Sequence, residues 1–467
     1  MLNRNIFREY DVRGIVDRDL NPAGFELIGL AVGTFLRRSL QLSAPRITVG
    51  RDCRLTSPAY QQALMDGLRA TGCQVIDVGM VPTPVLYFAH HTLDSDAGLE
   101  VTASHNPREY NGLKLRTRHS PVYGQDLQAI YTLLERQDFD RHPGSLTAAD
   151  VAEAYLDHIC AGVKLERPLK LVLDTGNGVA GPLATRLYRK LGCEVIELYT
   201  EPDGRFPHHI ADPTVPRYMV DLCEQVRETG ASIGIGLDGD GDRMGAVDET
   251  GTLWAGDRTL MLFARQVLAR APGQAIVFDV KCSQDLIDDV KAHGGTPVMW
   301  KTGYPLISAK LKESGAPLAG EMSGHTYFGD RYLGYDDGLY AGARLLEILA
   351  SDVRPMSQLL PPSRMVSTPE MRLPCPDERK FEVVAAVAQS FRKTHEVLEI
   401  DGVRIRFQEG WGLVRASNTQ PVLVARFEAG SSDALSHMMT QVERVLREEA
   451  GMIIDLEAER ASGGGDH

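Results

Sequence analysis

Three stretches of the chain share one alternation of apolar and polar positions. "ITVGRDCRLTSPAYQQALMDGLRATGCQVIDVG" runs from Ile47 to Gly79, "LVLDTGNGVAGPLATRLYRKLGCEVIEL" from Leu171 to Leu198, and "IVFDVKCSQDLIDDVKAHGGTPVMWKTG" from Ile276 to Gly303. Each opens on an apolar run that ends in a polar turn. A helix-period stretch, a glycine and a second apolar run follow. That order predicts a β-α-β unit, and a crossover of this length predicts parallel or mixed sheets with helices packed on them. In the second stretch Leu183, Leu187 and Leu191 fall four apart and share one helix face. The spacing of the repeats is too long for a solenoid and suits three successive α/β domains.

The pattern changes after about residue 362. "RPMSQLLPPSRMVSTPE" is proline-rich and reads as a linker. A helix is predicted around Phe381 to Lys393. "VLEIDGVRIRF" reads as a hairpin with Asp-Gly at its turn. "GLVRAS" and "PVLVARFEA" add two strands, and a helix from about Ser432 to Glu449 closes an α+β module on an antiparallel sheet. The tail "ASGGGDH" has the composition of an unstructured end.

Composition narrows the possibilities. A length of 467 residues suits about three domains. No apolar run reaches the ~18 residues of a membrane span, and "MLNRNIFREYDVRG" has no signal core, so a cytoplasmic protein is expected. Cys53, Cys73, Cys160, Cys193, Cys223, Cys282 and Cys375 are scattered singly, without a C-x-x-C pair, and read as reduced thiols. The net charge of −13 disfavours nucleic acid and anionic membranes as partners. An anionic substrate would need locally clustered Arg and Lys.

Four stretches can carry chemistry. In "VTASHNPREYNGLKL" (101–115), Ser104-His105-Asn106-Pro107 is either a turn built from turn-formers or a serine whose oxygen carries a transferable group. In "SIGIGLDGDGDRMGAVDE" (232–249), Asp238, Asp240 and Asp242 lie two apart in a glycine-rich loop. At about 4 Å and an effective dielectric of about 20, each pair repels by ~4 kcal/mol. A hard divalent cation such as Mg²⁺ cancels this. An EF-hand is rejected because Arg243 stands where the sharp turn needs glycine and the flanks read as strands.

"GEMSGHTYF" (320–328) alternates Glu321, Ser323 and His325, which share one side if the loop is extended and suit hydroxyl recognition; alone it reads as an ordinary polar loop. "VRASNTQPVLVARF" (414–427) offers Arg415, Ser417, Asn418 and Thr419 before Pro421, a donor set that holds phosphate without a P-loop lysine. No G-x-x-x-x-G-K-[ST] occurs. A serine hydrolase is disfavoured, because Ser104 lacks the G-x-S-x-G elbow and the triple-Asp loop has no role there.

With these motifs assembled in order over essentially the whole length, the chain resembles the α-D-phosphohexomutase family, nearest its bacterial phosphomannomutase/phosphoglucomutase members. "TASHNP" resembles the phosphoserine loop, "DGDGDR" the metal loop, "GEMSGH" the sugar loop and "RASNTQP" the phosphate loop, and "FREYDVRG" also matches.

The resemblance implies three mixed-sheet α/β domains and a fourth α+β domain like the TATA-box-binding protein, in a heart shape around a central cleft. The domains are taken as 1–149 with the phosphoserine loop, 150–252 with the metal loop, 253–362 with the sugar loop and 363–467 with the phosphate loop. It implies reversible conversion of hexose 1-phosphate to hexose 6-phosphate, mannose and/or glucose, through phospho-Ser104 and a bisphosphorylated sugar. Glucose 1,6-bisphosphate is then activator and intermediate, and Mg²⁺ is bound by Asp238, Asp240, Asp242 and Ser104.

Lys114, with His105 in support, would move the hydroxyl proton, and Arg243 would stabilise the transferring group. Arg415, Ser417, Asn418 and Thr419 would hold the idle phosphate. Glu321, Ser323 and His325 would line the sugar, and Tyr10, Arg13 and Lys281 match cleft residues. The implied enzyme is a cytoplasmic intramolecular phosphotransferase, expected to be monomeric. Met322 stands where phosphoglucosamine mutases usually carry Gln, so that activity is the alternative reading, with an inactive sugar-phosphate-binding homologue behind it. One position departs from the family: Tyr304, taken as a substrate-binding residue, replaces a histidine and can donate one hydrogen bond but carry no charge.

Overall fold

The computed structural model describes residues 2–118, 120–418 and 420–461, so the tail from residue 462 and Thr419 lie outside the described residues. Four sheets follow one another along the chain. The first runs, in spatial order, through Val12–Ile15, Tyr110–Thr117, Ala97–Val101, Arg46–Arg51, Gln74–Met80 and Ser145–Ala148. The second runs through Leu253–Trp254, Met244–Asp248, Ile233–Leu237, Lys170–Asp174 and Glu194–Leu198. The third runs through Thr296–Trp300, Ala275–Asp279, Leu318–Gly320 and Thr326–Phe328.

The repetition in the sequence is a repetition of topology. Each opening strand (Arg46–Arg51, Lys170–Asp174, Ala275–Asp279) pairs in parallel with the strand after its helix, and on its other edge with a later strand. That later strand then turns back into an antiparallel neighbour. The sheets are therefore mixed, as the apolar pattern predicts. The loops 102–109, 238–243 and 321–325 occupy one equivalent position, the return between the last parallel strand and its antiparallel partner.

Helix Gly181–Lys190 shows the local logic of the repeat. Leu183, Leu187 and Tyr188 are buried on its inner side, while the last turn ends in Arg189 and Lys190, which suit the negative end of the helix dipole.

The fourth sheet is antiparallel throughout. Glu396–Leu398, Val403–Arg406, Gly410–Ala416 and Val422–Ala429 form a meander, and Val366–Ser367 and Met371–Pro374 both pair with the last of these. Helices Lys380–Phe391 and Ser432–Ala450 cover it. This unit keeps its own core, whereas one large cluster, running from Ile76 to Leu360, joins helix Thr83–Thr92 to the second and third units.

The proline-rich stretch is not a free linker. Met356, Leu359 and Leu360 are buried in the large core, Arg258 and Arg265 hold the carbonyls of Pro361 and Leu359, and the Ser363 hydroxyl donates to Asp285. The apolar residues between the prolines account for the difference, because they find a core to fill.

The fourth unit docks on the third around the segment Asp279–Ser283. Val280 packs against Trp411 and Leu413, and Arg404 Nη1 donates to the carbonyls of Val280 and Cys282 at 2.6 and 2.9 Å. Ser283 Oγ donates to Glu428 at 2.6 Å. Among the described residues no helix is long and apolar enough to cross a membrane.

Candidate active site

The return loop of the first sheet carries Ser104 in the left-handed region, at φ 48°. A non-glycine residue held there marks a loop fixed by its surroundings. Arg54 fixes it. Its side chain is 1% exposed and its guanidinium donates to three carbonyls of the loop, Ser104 at 2.8 Å, Asn106 at 2.6 Å and Pro107 at 2.8 Å, and to that of Tyr110, where the next strand begins, at 3.0 Å. Its Nε is tied to Asp52 at 3.0 Å. The signal for Arg54 in the sequence is slight, a polar turn after the first repeat's opening strand.

The triple-Asp loop meets the serine loop at van der Waals limits. A Cβ on Gly239 would stand 2.5 Å from the Ser104 carbonyl, so only glycine allows this approach. Ser104 Oγ donates to Asp238 Oδ2 at 2.7 Å and lies 3.1 Å from His105 Nδ1. Thr83, at the start of a helix of the first unit, bonds Asp240 through its hydroxyl at 2.6 Å and its N–H at 2.9 Å.

Asp238, Asp240 and Asp242 are all buried, with carboxylate oxygens within 4.8 Å of one another. Burial, and then the charges of Asp240 and Asp242, push the Asp238 carboxyl well above its usual range. Lys114 Nζ is wedged against Asp240 Oδ2 at 2.7 Å and against Asp242 Oδ2. Burial works against its charge, but the two aspartates outweigh that and push its pKa well up. Asp240 Oδ1 and Asp242 Oδ1 are buried without a hydrogen-bond partner among the described residues. Two orphaned carboxylate oxygens in an all-oxygen donor set fit a hard divalent cation.

The third loop is a tight turn, not the extended stretch that the alternation suggests. Gly324 sits at φ 89° and its N–H closes onto the Glu321 carbonyl at 3.0 Å. Glu321 and His325 are buried and Ser323 is half-buried. Glu321 accepts from Gly303 N at 3.1 Å and Tyr327 Oη at 3.0 Å, and burial raises its pKa. His325 pairs by backbone with Arg243, whose Nε donates to His325 Nε2 at 3.0 Å.

Residues of the first, third and fourth units make further contacts with one another. Arg13 bonds Asp11 and Asn106, each at 2.5 Å. Tyr10 Oη donates to the Thr302 carbonyl at 2.8 Å and accepts from Asn418 Nδ2 at 2.6 Å, so one phenol joins three units. Arg415 is held by Asp401 at 2.9 Å, and the same carboxylate oxygen accepts from Thr302 N at 3.0 Å. Lys281 lies 2.8 Å from Glu370. Ser417 is buried, and its Oγ accepts from Gln420 N at 3.1 Å. Beside Ser104 a cavity of about 230 Å³ opens, lined by His105, Asn106, Arg205 and Phe206 among others.

Tyr304 is buried and donates its single hydroxyl proton to the Tyr10 carbonyl at 2.9 Å. That donor is engaged within the protein rather than offered to a ligand. Tyr304→Phe would leave this buried carbonyl unpartnered, and we expect a loss of about 1–3 kcal/mol in denaturant unfolding. An unchanged midpoint would sink that assignment.

Residues 4–141, 153–251 and 255–364 match the phosphoglucomutase/phosphomannomutase alpha/beta/alpha domains I, II and III, and residues 370–445 match the C-terminal domain of the same family. A phosphomannomutase/phosphoglucomutase from Pseudomonas aeruginosa is 44% identical over 449 residues, 96% of either chain. A phosphoglucomutase from Neisseria gonorrhoeae is 41% identical over 459 residues, 97% of this chain and 99% of its own. The crystal structure of a phosphoglucomutase/phosphomannomutase family protein from Burkholderia thailandensis superposes with a TM-score of 0.91 at 45% identity, covering 97% of this chain and 99% of that one.

Proposed function

The chain belongs to the phosphoglucomutase/phosphomannomutase family, and from that premise we propose that it interconverts hexose 1-phosphates and hexose 6-phosphates, of mannose and of glucose, through phospho-Ser104. One observation carries the reading: Ser104 Oγ, Asp238 and Arg243 meet in one loop pair, with Lys114 wedged among the carboxylates. Phosphoryl transfer asks a protein for positioning and charge neutralisation, and these residues supply both.

In the forward half-reaction the bond from phosphorus to Ser104 Oγ breaks and a bond to the free sugar hydroxyl forms. The hydroxyl proton passes to Lys114 Nζ, which must be in its neutral form to take it, and His105 supports the serine oxygen. Arg243 faces the charge that develops on the transferring group. Asp238, Asp240 and Asp242 would hold Mg²⁺, with Ser104 as a further ligand. When bound, Mg²⁺ supplies charge that neutralises the phosphoryl group and a second partner for the carboxylates that otherwise keep Lys114 protonated.

The resulting sugar bisphosphate, glucose 1,6-bisphosphate in the glucose case, turns in the cleft and returns its other phosphate to Ser104. Arg415, Ser417, Asn418 and Thr419 hold the phosphate that is not reacting. Glu321, Ser323 and His325 read the ring hydroxyls, and Tyr10, Arg13 and Lys281 line the rest. The same reading makes this a cytoplasmic monomer acting on sugar phosphates, with no nucleic-acid partner. Boundaries near residues 150, 253 and 363 divide its four domains.

The test supplies mannose 1-phosphate or glucose 1-phosphate, Mg²⁺ and a trace of glucose 1,6-bisphosphate, and reads hexose 6-phosphate. Turnover of both sugars is expected, and no turnover of either by the primed protein overturns the reading. EDTA is expected to lower the rate by about 100-fold or more, and added Mg²⁺ to restore it.

A further inference from the structure

We propose that Lys380 is a positioning residue for phosphate binding: from beneath the phosphate loop it draws the Ser417 carbonyl inward and so turns the Asn418 N–H outward, toward the anion. The proposal rests on the phosphate-holding role given to that loop above. Lys380 opens helix Lys380–Phe391, yet it is only 6% exposed. A lysine is buried that deeply only when it has partners. A cation at a helix start also opposes the helix dipole, so helix formation does not account for it.

Its contacts do. Nζ donates to the Ser417 carbonyl at 2.6 Å, to Asp377 Oδ1 at 2.7 Å and to the Gln420 carbonyl at 3.4 Å. The Asp377 side chain is 47% exposed, so that pair alone does not offset the burial of an ammonium. The two carbonyls stand at the entry and the exit of the loop.

Peptide geometry carries the contact through to the other face. In a trans peptide the C=O and the adjoining N–H point in opposite directions, and no cis bond occurs among the described residues. With the Ser417 carbonyl directed at Lys380, the Asn418 N–H is directed away from the helix. Among the described residues it has no acceptor. The Gln420 carbonyl adjoins Pro421, which has no N–H, so Asn418 carries the amide that this lysine orients. Both flanks of that amide are fixed: the Ser417 N–H donates to the Val422 carbonyl at 3.0 Å, and Asn418 Nδ2 donates to Tyr10 at 2.6 Å. An N–H held outward in this way is a donor for an anion. Lys380 itself does not reach the phosphate, because its three hydrogens already have three acceptors.

The experiment pairs kinetics with amide resonances of the full-length protein, ¹⁵N-labelled at asparagine, with Asn418→Ser used for assignment. In the wild type, inorganic phosphate is expected to shift the Asn418 amide. Lys380→Met is expected to lose that shift. It should also raise KM for glucose 1-phosphate about 10–100-fold with a much smaller effect on kcat, since the idle phosphate is held alike in ground and transition states. Lys380→Arg keeps the charge and the donors and should recover part of both, and it serves where Lys380→Met fails to fold. An active wild type whose Asn418 amide ignores phosphate overturns the positioning alone, as does Lys380→Met with unchanged KM and shift. Lost stability and kcat at unchanged KM would mark a structural lysine and overturn it as well. An inactive wild type overturns the reaction, and the role of Lys380 with it.

Discussion

Ser104→Ala is expected to leave a folded protein with no measurable interconversion of hexose phosphates, a loss of at least about 10⁴-fold in kcat. Ser104 Oγ reaches the carboxylate triad, 2.7 Å from Asp238, and on the proposed route every turnover passes through it twice. The substitution keeps Cβ and asks the backbone for the same φ of 48°, so the loop has no new reason to move. The hydrogen bond to Asp238 disappears, at a cost of about 1 kcal/mol. Two measurements check this. Intact mass after incubation with glucose 1,6-bisphosphate should rise by one phosphoryl group in the wild type and not in the variant. The mutase assay should read background. Wild-type turnover by the variant would remove Ser104 from the reaction.

Arg54→Leu should be nearly as damaging, for a different reason. The side chain is buried against Asp52, which also accepts from Ser57 Oγ at 2.5 Å, and its fork ties down three carbonyls of the serine loop and that of Tyr110 just after it. Leucine leaves a buried charge without its partner, which costs about 3–5 kcal/mol. It also frees the loop that aims Ser104, and a displacement of about 1 Å costs about 100-fold in rate. Denaturant unfolding and kcat should therefore fall together. Arg54→Lys restores the charge but not the planar fork, so stability should return in part while the rate stays low. A fully active lysine variant would show that the fork is dispensable.

The three repeats were legible because their information is local. A β-branched run, a helical period and a glycine declare themselves within about 30 residues. The four loops were legible because each concentrates unusual chemistry in a few positions. Arg54 was not, because the carbonyls it holds lie about 50 residues further along the chain. Thr83 is hidden in the same way, reaching across 157 positions to Asp240.

The alternation of Glu321, Ser323 and His325 misleads because one glycine at φ 89° folds the strand-like spacing into a turn. The proline-rich stretch misleads because composition cannot say that Met356, Leu359 and Leu360 have a core to enter. Tyr10 matches a motif in the sequence, yet its contacts with Thr302 and Asn418 exist only once the chain has folded.

The shared hairpin of the first three sheets has a consequence for how such a protein can diversify. On the proposed reading, the group carrier, the charge neutraliser and the reader of the ring sit on separate copies of one scaffold, each with its own strands. The reader can drift toward a new sugar at residues 321–325 while the other two copies keep their spacing. What cannot drift freely is the seam where the second copy touches the third, Arg243 against His325, for there selectivity and chemistry share one contact.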